Sequence, residues 1–267
     1  MKLSFDHLVH FLYRPPAEAL EPLGDAGFHA VAGGQHEAWG TYNSLSYFGL
    51  SYIEFFAARS TEIAAKSENP LVQQLLADRP CGEGMGQIAL RTSEIERWSE
   101  RFREQGCQVT GPLAGSRRRE DGSLIQWKML FAKDPRRKYR MPFLIEWADT
   151  DESRLADLTR RGVVAPHPNG ASEIAYVAIA AHDQADAAEA WQEWLGLKAG
   201  PDYYDEELQA TCRRLSCPGG DLVFCRPEGD GPAGEALAAR GERPFLIRFA
   251  GADAGRRVWL FGSRYAW

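Results

Sequence analysis

The amino-acid sequence predicts an α+β fold of tandem βαβββ modules that form curved mixed sheets with outer helices. Three observations carry that prediction. Short apolar runs with period-two alternation recur along the chain, and one segment of helical periodicity follows the first run of each group. Glycine-containing turns separate the runs. The order strand, helix, strand, strand, strand returns often enough to predict two full modules followed by a third and an incomplete fourth.

The first module covers about residues 1–58. Its opening strand, 4–12 (SFDHLVHFL), leads into 15–26, where Ala19, Leu20 and Leu23 form a helical stripe and Gly24 and Gly27 sit near its end. Strands follow at 28–32, 41–48 and 51–57. A linker segment, 59–84, contains a helix over 62–77 that stops before Pro80. The second module, 85–150, repeats the order: a strand at 86–91, then SEIERWSERFREQG, with Ser93 as N-cap, Ile95, Trp98 and Phe102 as the stripe and Gly106 as the stop. Strands at 107–111, 124–132 and 142–147 complete it.

The run DESRLADLTRRGVVAPHPNGAS is charged and then rich in proline and glycine, which predicts a linker at 151–170. The third module begins at Glu173 with EIAYVAIAA, followed by a helix over 185–195 and strands at 199–204, 210–216 and 221–225. RPFLIRFAG and RRVWLFGSRYAW supply two strands of the partial fourth, so 171–267 forms one unit.

Composition narrows the function classes. With 44% hydrophobic and 25% charged residues, the 267-residue chain reads as a soluble globular protein with ample core. A net charge of −6 argues against nucleic-acid binding, which needs a basic surface to release counterions. No window approaches the roughly 20 apolar residues of a membrane span, and the N-terminus runs straight into a strand pattern where a signal peptide would stand. A cytoplasmic location is expected. Five cysteines without paired spacing predict reduced thiols.

Alternation puts Phe5, His7, Val9 and Phe11 on one face of the first strand, and Asp6, Leu8 and His10 on the other. Aligning FDHLVHFL with MGQIALRT sets Gln87 against His7. Aligning LSYIEFFA with PFLIEWAD sets Glu146 against Glu54. Polar groups in the middle of apolar strands are costly unless each finds a hydrogen bond or a metal ion.

At these positions the sequence resembles the vicinal oxygen chelate superfamily, which includes glyoxalase I. The segment GGQHEAWGTYNSL is similar to the glyoxalase-like domain group within it, where Gly-Gly-x-His and then Gly-Thr-x-Asn precede the last strand of the first module. The resemblance covers about residues 3–150. It implies a divalent metal (Zn, Ni, Co, Mn or Fe(II)) held by His7, Glu54, Gln87 and Glu146. It also implies lyase or isomerase chemistry on a small metabolite chelated through vicinal oxygens. The metal would act as Lewis acid, with Glu146, or second Glu54, as base. One histidine argues against an extradiol dioxygenase, which wants two. Within the same resemblance, His36 and Asn43 become candidate substrate-binding residues, and Tyr52 joins them because it shares the face of Glu54.

Other readings stand beside these. The four polar groups would also suit a metal-free pocket, bonded to each other or to water. The cleft would equally serve a non-catalytic small-molecule binding or resistance protein. His10 reads as a structural, helix-facing histidine, and His29, His167 and His182 as surface or loop residues. Arg117, Arg118, Arg119, Arg136, Arg137 and Arg140 would clamp a carboxylate or phosphate, or simply solvate a turn. GEGMGQ is no phosphate loop, because a strand follows it. Tyr42, Tyr47 and Trp147 read as packing. The segment after Gly170 lacks the ligand pattern at Tyr176 and at Phe224 or Cys225, so it reads as a structural cap or dimer-mimicking surface. Partners reduce to a small-molecule ligand and, as an option, a second copy of the chain in a homodimer.

Overall fold

The computed structural model describes residues 1–119, 121–251 and 255–267, and among these the strands form two mixed sheets. The first contains β1 (Ser4–Phe11), β2 (Val31–His36), β3 (Thr41–Phe48), β4 (Ser51–Ala58), β5 (Gly84–Arg91), β6 (Gln108–Arg118), β7 (Leu124–Lys133) and β8 (Phe143–Trp147). Their spatial order is β2-β3-β4-β1-β5-β8-β7-β6. β1 runs parallel to β4, β5 runs parallel to β8, and β1 joins β5 antiparallel. The sheet curls into a half-barrel, and Gly34 on one edge strand lies against the Arg117 side chain on the other.

The second sheet contains β9 (Glu173–Ala180), β10 (Lys198–Asp205), β11 (Ala210–Ser216), β12 (Asp221–Pro227), β13 (Pro244–Ala250), β14 (Arg257–Leu260) and β15 (Ser263–Ala266), in the order β10-β11-β12-β9-β13-β15-β14. β9 stands where β1 stands in the first sheet, parallel to β12 and antiparallel to β13. The two strands expected at the end of the chain are three, because RRVWLFGSRYAW folds back on itself as the β14–β15 hairpin.

The helices are α1 (Leu20–Asp25), α2 (Thr61–Lys66), α3 (Pro70–Ala77), α4 (Ile95–Glu104), α5 (Asp151–Arg160), α6 (Gln184–Leu195) and α7 (Pro232–Arg240). The expected single linker helix is two. Pro70 cannot continue a helix but suits its first turn, and Asn69 accepts the N–H of Leu71 as cap. The segment read as a linker at 151–170 opens with α5, capped by Thr150.

Three helices bury one face between the sheets. Leu23 of α1, Trp98 and Phe102 of α4, and Trp191 and Trp194 of α6 join one apolar cluster with Leu8, Phe55 and Leu90 of the first sheet and Val177, Ile179 and Ile247 of the second. Each helix is amphipathic: it buries its apolar face in this cluster and leaves its charged face, such as Glu96, Arg97 and Glu100 of α4, exposed. Each fully buried large side chain there contributes roughly 1.5–3 kcal/mol.

His10 belongs to this interior, but it faces the second sheet, not a helix. Its Nε2 donates to the Phe261 carbonyl at 2.8 Å and its Nδ1 accepts the Tyr265 hydroxyl at 2.7 Å. Burial lowers its pKa to about 3. His167 is likewise buried, not superficial: it stacks on Phe48 and bridges the His29 N–H to the Tyr47 carbonyl. All five cysteines are free thiols. No described helix is long and apolar enough to cross a membrane.

Candidate functional site

The glycine-rich segment builds one wall of a cavity on the inner face of the first sheet. Gly33 and Gly34 lie in β2 opposite Asn43 of β3. A Cβ on Gly33 would overlap Asn43 Oδ1, and one on Gly34 would overlap the Arg117 side chain. Absence of side chains lets Asn43 lie flat against the strand, with its Oδ1 accepting the Gly34 N–H at 2.9 Å. Its amide then turns to Glu54 on β4, donating through Nδ2 to Oε1 at 2.6 Å. His36 is fixed beside them by a 3.0 Å bond between Nδ1 and Thr41 Oγ1. Gly40, at φ +63°, makes the turn between these two residues. Each named residue of the motif therefore has a mechanical task in holding Glu54 and His36.

His7 enters from β1. A register shift between Phe5 and His7 makes Asp6 the extra residue of a bulge, so Phe5 packs into the intersheet core while His7 turns to the cavity. Phe5 and His7, expected on one face, are on two. His7 Nδ1 donates to Asp6 Oδ1 at 2.7 Å, which leaves Nε2 toward Glu54 Oε2 at 3.6 Å. Tyr52 stacks on the imidazole with centroids 4.5 Å apart, and Tyr47 stacks on Tyr52 at the same spacing.

The charges behind the site are arranged to hold this geometry. Asp6 is fully buried, and it also accepts from Arg91 Nη1 and Trp147 Nε1, each at 3.1 Å. Burial works against its charge, but His7, Arg154 and Arg91 outweigh it and hold the carboxyl at about 2. Glu54 shows the opposite balance. Burial raises its pKa, and the pull of His7, Asn43 and Arg117 offsets only part of that. Burial lowers His36 to about 3, with Arg117 adding to the effect, and lifts Tyr47 to about 12.

The cavity in front of these residues is open, with about 1120 Å³ of empty space when the solvent at its mouth is included. Trp39, Phe56, Trp127, Ile145 and Trp147 give it apolar walls, while His7, His36, Asn43, Tyr52 and Glu54 line its polar part. The segment read only as a linker closes one side, through Arg154, Asp157, Leu158, Arg161 and Val163. Asp6, Tyr47, Arg154 and the helix that carries Arg154 are absent from the expected site. The bulge is invisible to strict alternation, and α5 becomes a wall only after folding.

Gln87 and Glu146 are not brought to His7 and Glu54. Ala89, not Gln87, stands opposite His7. Gln87 reaches α3, where its Nε2 donates to Gln74 Oε1 at 3.2 Å, and its Oε1 accepts the N–H of Ile88 at 2.9 Å. In β8 it is Ile145 and Trp147 that line the cavity, so Glu146 between them points away. The alignment of the two Ile-Glu pairs is one residue off in facing, and such a slip sends every side chain to the other side. Glu146 instead caps α4, accepting the Ile95 N–H at 2.9 Å, the task expected of Ser93. A four-donor metal set of His7, Glu54, Gln87 and Glu146 does not fit this geometry. Among the described residues, no three His, Cys, Asp or Glu side chains converge as a metal site would require.

Comparison with known proteins sets the chain among relatives. A hypothetical protein from Staphylococcus aureus shares the fold with a TM-score of 0.76, at 18% identity over 98% of both chains. Methylmalonyl-CoA epimerase from Mycobacterium tuberculosis matches 58% of this chain and 91% of its own at 19% identity, with a TM-score of 0.40. A Streptomyces coelicolor methylmalonyl-CoA epimerase, in complex with 2-nitronate-propionyl-CoA, matches 55% of this chain and 98% of its own at 18% identity and a TM-score of 0.40. Among curated proteins, none matches. The family model described as glyoxalase-like domain matches residues 5–195, which include β1, the glycine-rich segment, α5 and α6. With most of its length matched, the chain belongs to the glyoxalase-like domain family, the group that its Gly33 to Asn43 segment resembles.

Proposed function

We propose that this protein is a glyoxalase-like isomerase or lyase that moves a proton at a carbon next to an oxygenated group of a small metabolite. His7 and Glu54 form the acid–base pair. The supporting observation is the 3.6 Å separation of His7 Nε2 and Glu54 Oε2 at the cavity wall, with both side chains held from behind. With Nδ1 bonded to Asp6, His7 turns Nε2 to the cavity, where it serves as the base. Burial favours the protonated form of Glu54, which suits it to donate. Asn43 steadies Glu54, while His36 and Tyr52 flank the substrate.

The strand order of the two sheets supports dividing the chain into paired modules at 1–150 and a third plus partial fourth at 171–267. The intervening 151–170 then acts as a cover for the cavity. A second reading, a binding or resistance protein that sequesters its ligand without turnover, draws on the tryptophan-lined wall. Incubation of small hydroxy- and oxo-metabolites with the protein in D2O, followed by NMR, separates the two. Deuterium incorporation beside the oxygenated carbon supports the enzyme. Saturable binding with no incorporation above the buffer rate supports the binding protein.

A further inference from the structure

The cavity charges pair off unevenly. Arg119 donates to Asp157, with Nη2 to Oδ2 at 2.8 Å, and Arg161 engages both Asp121 and Asp157, at 2.6 and 3.0 Å. Arg154 lies over the Trp147 ring, between Asp6 at 3.9 Å and Asp151 at 3.8 Å. Arg117 is different. Among the described residues its side chain makes no hydrogen bond and no salt bridge, although it lines the same cavity as Glu54 and His7.

Its position is built, not incidental. Arg117 comes from the far edge strand β6 and crosses the mouth of the half-barrel to lie on Gly34 of β2, where any side chain larger than hydrogen would displace it. A half-buried guanidinium stays protonated and carries a desolvation cost that an anionic partner offsets. Burial already presses its pKa down. Glu54, Asp149 and Asp157 line the same cavity without pairing with the Arg117 side chain: Asp157 is held by Arg119 and Arg161, and Glu54 by Asn43. The remaining charge faces the open volume, and the apolar walls beyond it suit a hydrocarbon or aromatic tail.

We infer that Arg117 is the anion anchor of the site, and that the ligand is a small carboxylate, oxygenated on the carbon beside its carboxyl group and carrying an apolar tail. The inference rests on the proposed function for the presence of the oxygenated carbon, but the anchor itself is read by binding alone. Bound to Arg117, the carboxylate sets the neighbouring carbon toward His7 and Glu54.

The test is calorimetric titration of 2-hydroxy and 2-oxo acids with apolar tails, mandelate and 2-oxoisocaproate among them, against their neutral carboxamides. Wild-type protein is expected to bind the acids about ten- to a hundredfold more tightly than the amides. Arg117→Gln is expected to abolish that preference while leaving the weak amide affinity in place, and Arg117→Lys to restore part of it. Circular dichroism melts check that the variants fold, and the acid-to-amide ratio of the wild type stands even where a variant does not. Failure of every acid to bind at millimolar concentration, equal affinity for acids and amides, or unchanged acid binding by folded Arg117→Gln would each overturn the anchor. Arg117-dependent binding without deuterium exchange keeps the anchor and removes the catalytic reading. Exchange of neutral compounds only does the reverse.

Discussion

His7 Nε2 and Glu54 Oε2 face one another across 3.6 Å at the wall of the cavity. The gap is longer than a strong hydrogen bond, so each atom keeps capacity for a third partner. Neither side chain is free to swing: Asp6 and the Tyr52 ring hold the imidazole, and Asn43 holds the carboxyl. Two proton carriers fixed side by side at the wall of an open space can both reach one ligand seated in front of them.

Asp6 is the support on which this arrangement stands. Asp6→Asn removes the acceptor of His7 and leaves Arg91 and Arg154 beside a neutral group. The expected cost is about 3–5 kcal/mol of stability, read by urea unfolding. In the wild type, the depressed carboxyl contributes fully above its unfolded value of 3.8, and this contribution is lost as pH falls toward about 2. Loss of no more than about 0.5 kcal/mol in the variant would mean that the buried network carries no weight.

A second acid sensitivity comes from His10. Its folded pKa of about 3 lies below the ordinary histidine value of 6.5, so its contribution to stability is complete above 6.5 and declines as pH falls through the interval between the two. Between pH 7.5 and 5 the expected loss from this one residue is about 2 kcal/mol. Unfolding curves at the two pH values should converge for His10→Gln, which has no charge to gain. Equal pH dependence in wild type and variant would show that His10 is not the origin.

The glycine pair predicts a steric result. Gly33→Ala places a methyl group on Asn43 Oδ1, and overpacking of this kind costs about 1–3 kcal/mol. Displacing Asn43 also strips Glu54 of its amide donor, so the Glu54 carboxyl, already raised by burial, should titrate higher still. Carbon-detected NMR titration of Glu54 in Asn43→Ala isolates the second effect from the first. A Glu54 pKa that stays put or falls would contradict the proposed role of the amide.

Much of the frame was legible in the residues. Period-two runs located β1, β3, β4, β7 and β9 to within a residue or so at each end, and Trp98 and Phe102 gave the buried stripe of α4. His7, Glu54, His36 and Asn43, singled out by the family resemblance, and Tyr52, which shares the face of Glu54, all line the cavity. What failed was facing across modules. Glu146 shares a sequence neighbourhood with Glu54, but the inward turn of Ile145 and Trp147 depends on tertiary register, while Gln87, paired with Val9, is taken up by Gln74 of α3. Asp6 was hidden by its bulge. Arg117 looked like one more residue of a charged turn, since the curl that carries it over Gly34 is a property of the whole sheet.

Solvent-deuterium exchange at the carbon beside the oxygenated group, compared between wild type, His7→Asn and Glu54→Gln, tests the acid–base pair most directly. Each substitution keeps the approximate shape of the side chain and removes its ability to carry the proton. The expected result is a fall of about 10²–10⁴-fold in the exchange rate for either variant, with ligand affinity largely kept. Exchange at the wild-type rate in both variants would contradict the assignment of His7 and Glu54 as the residues that move the proton.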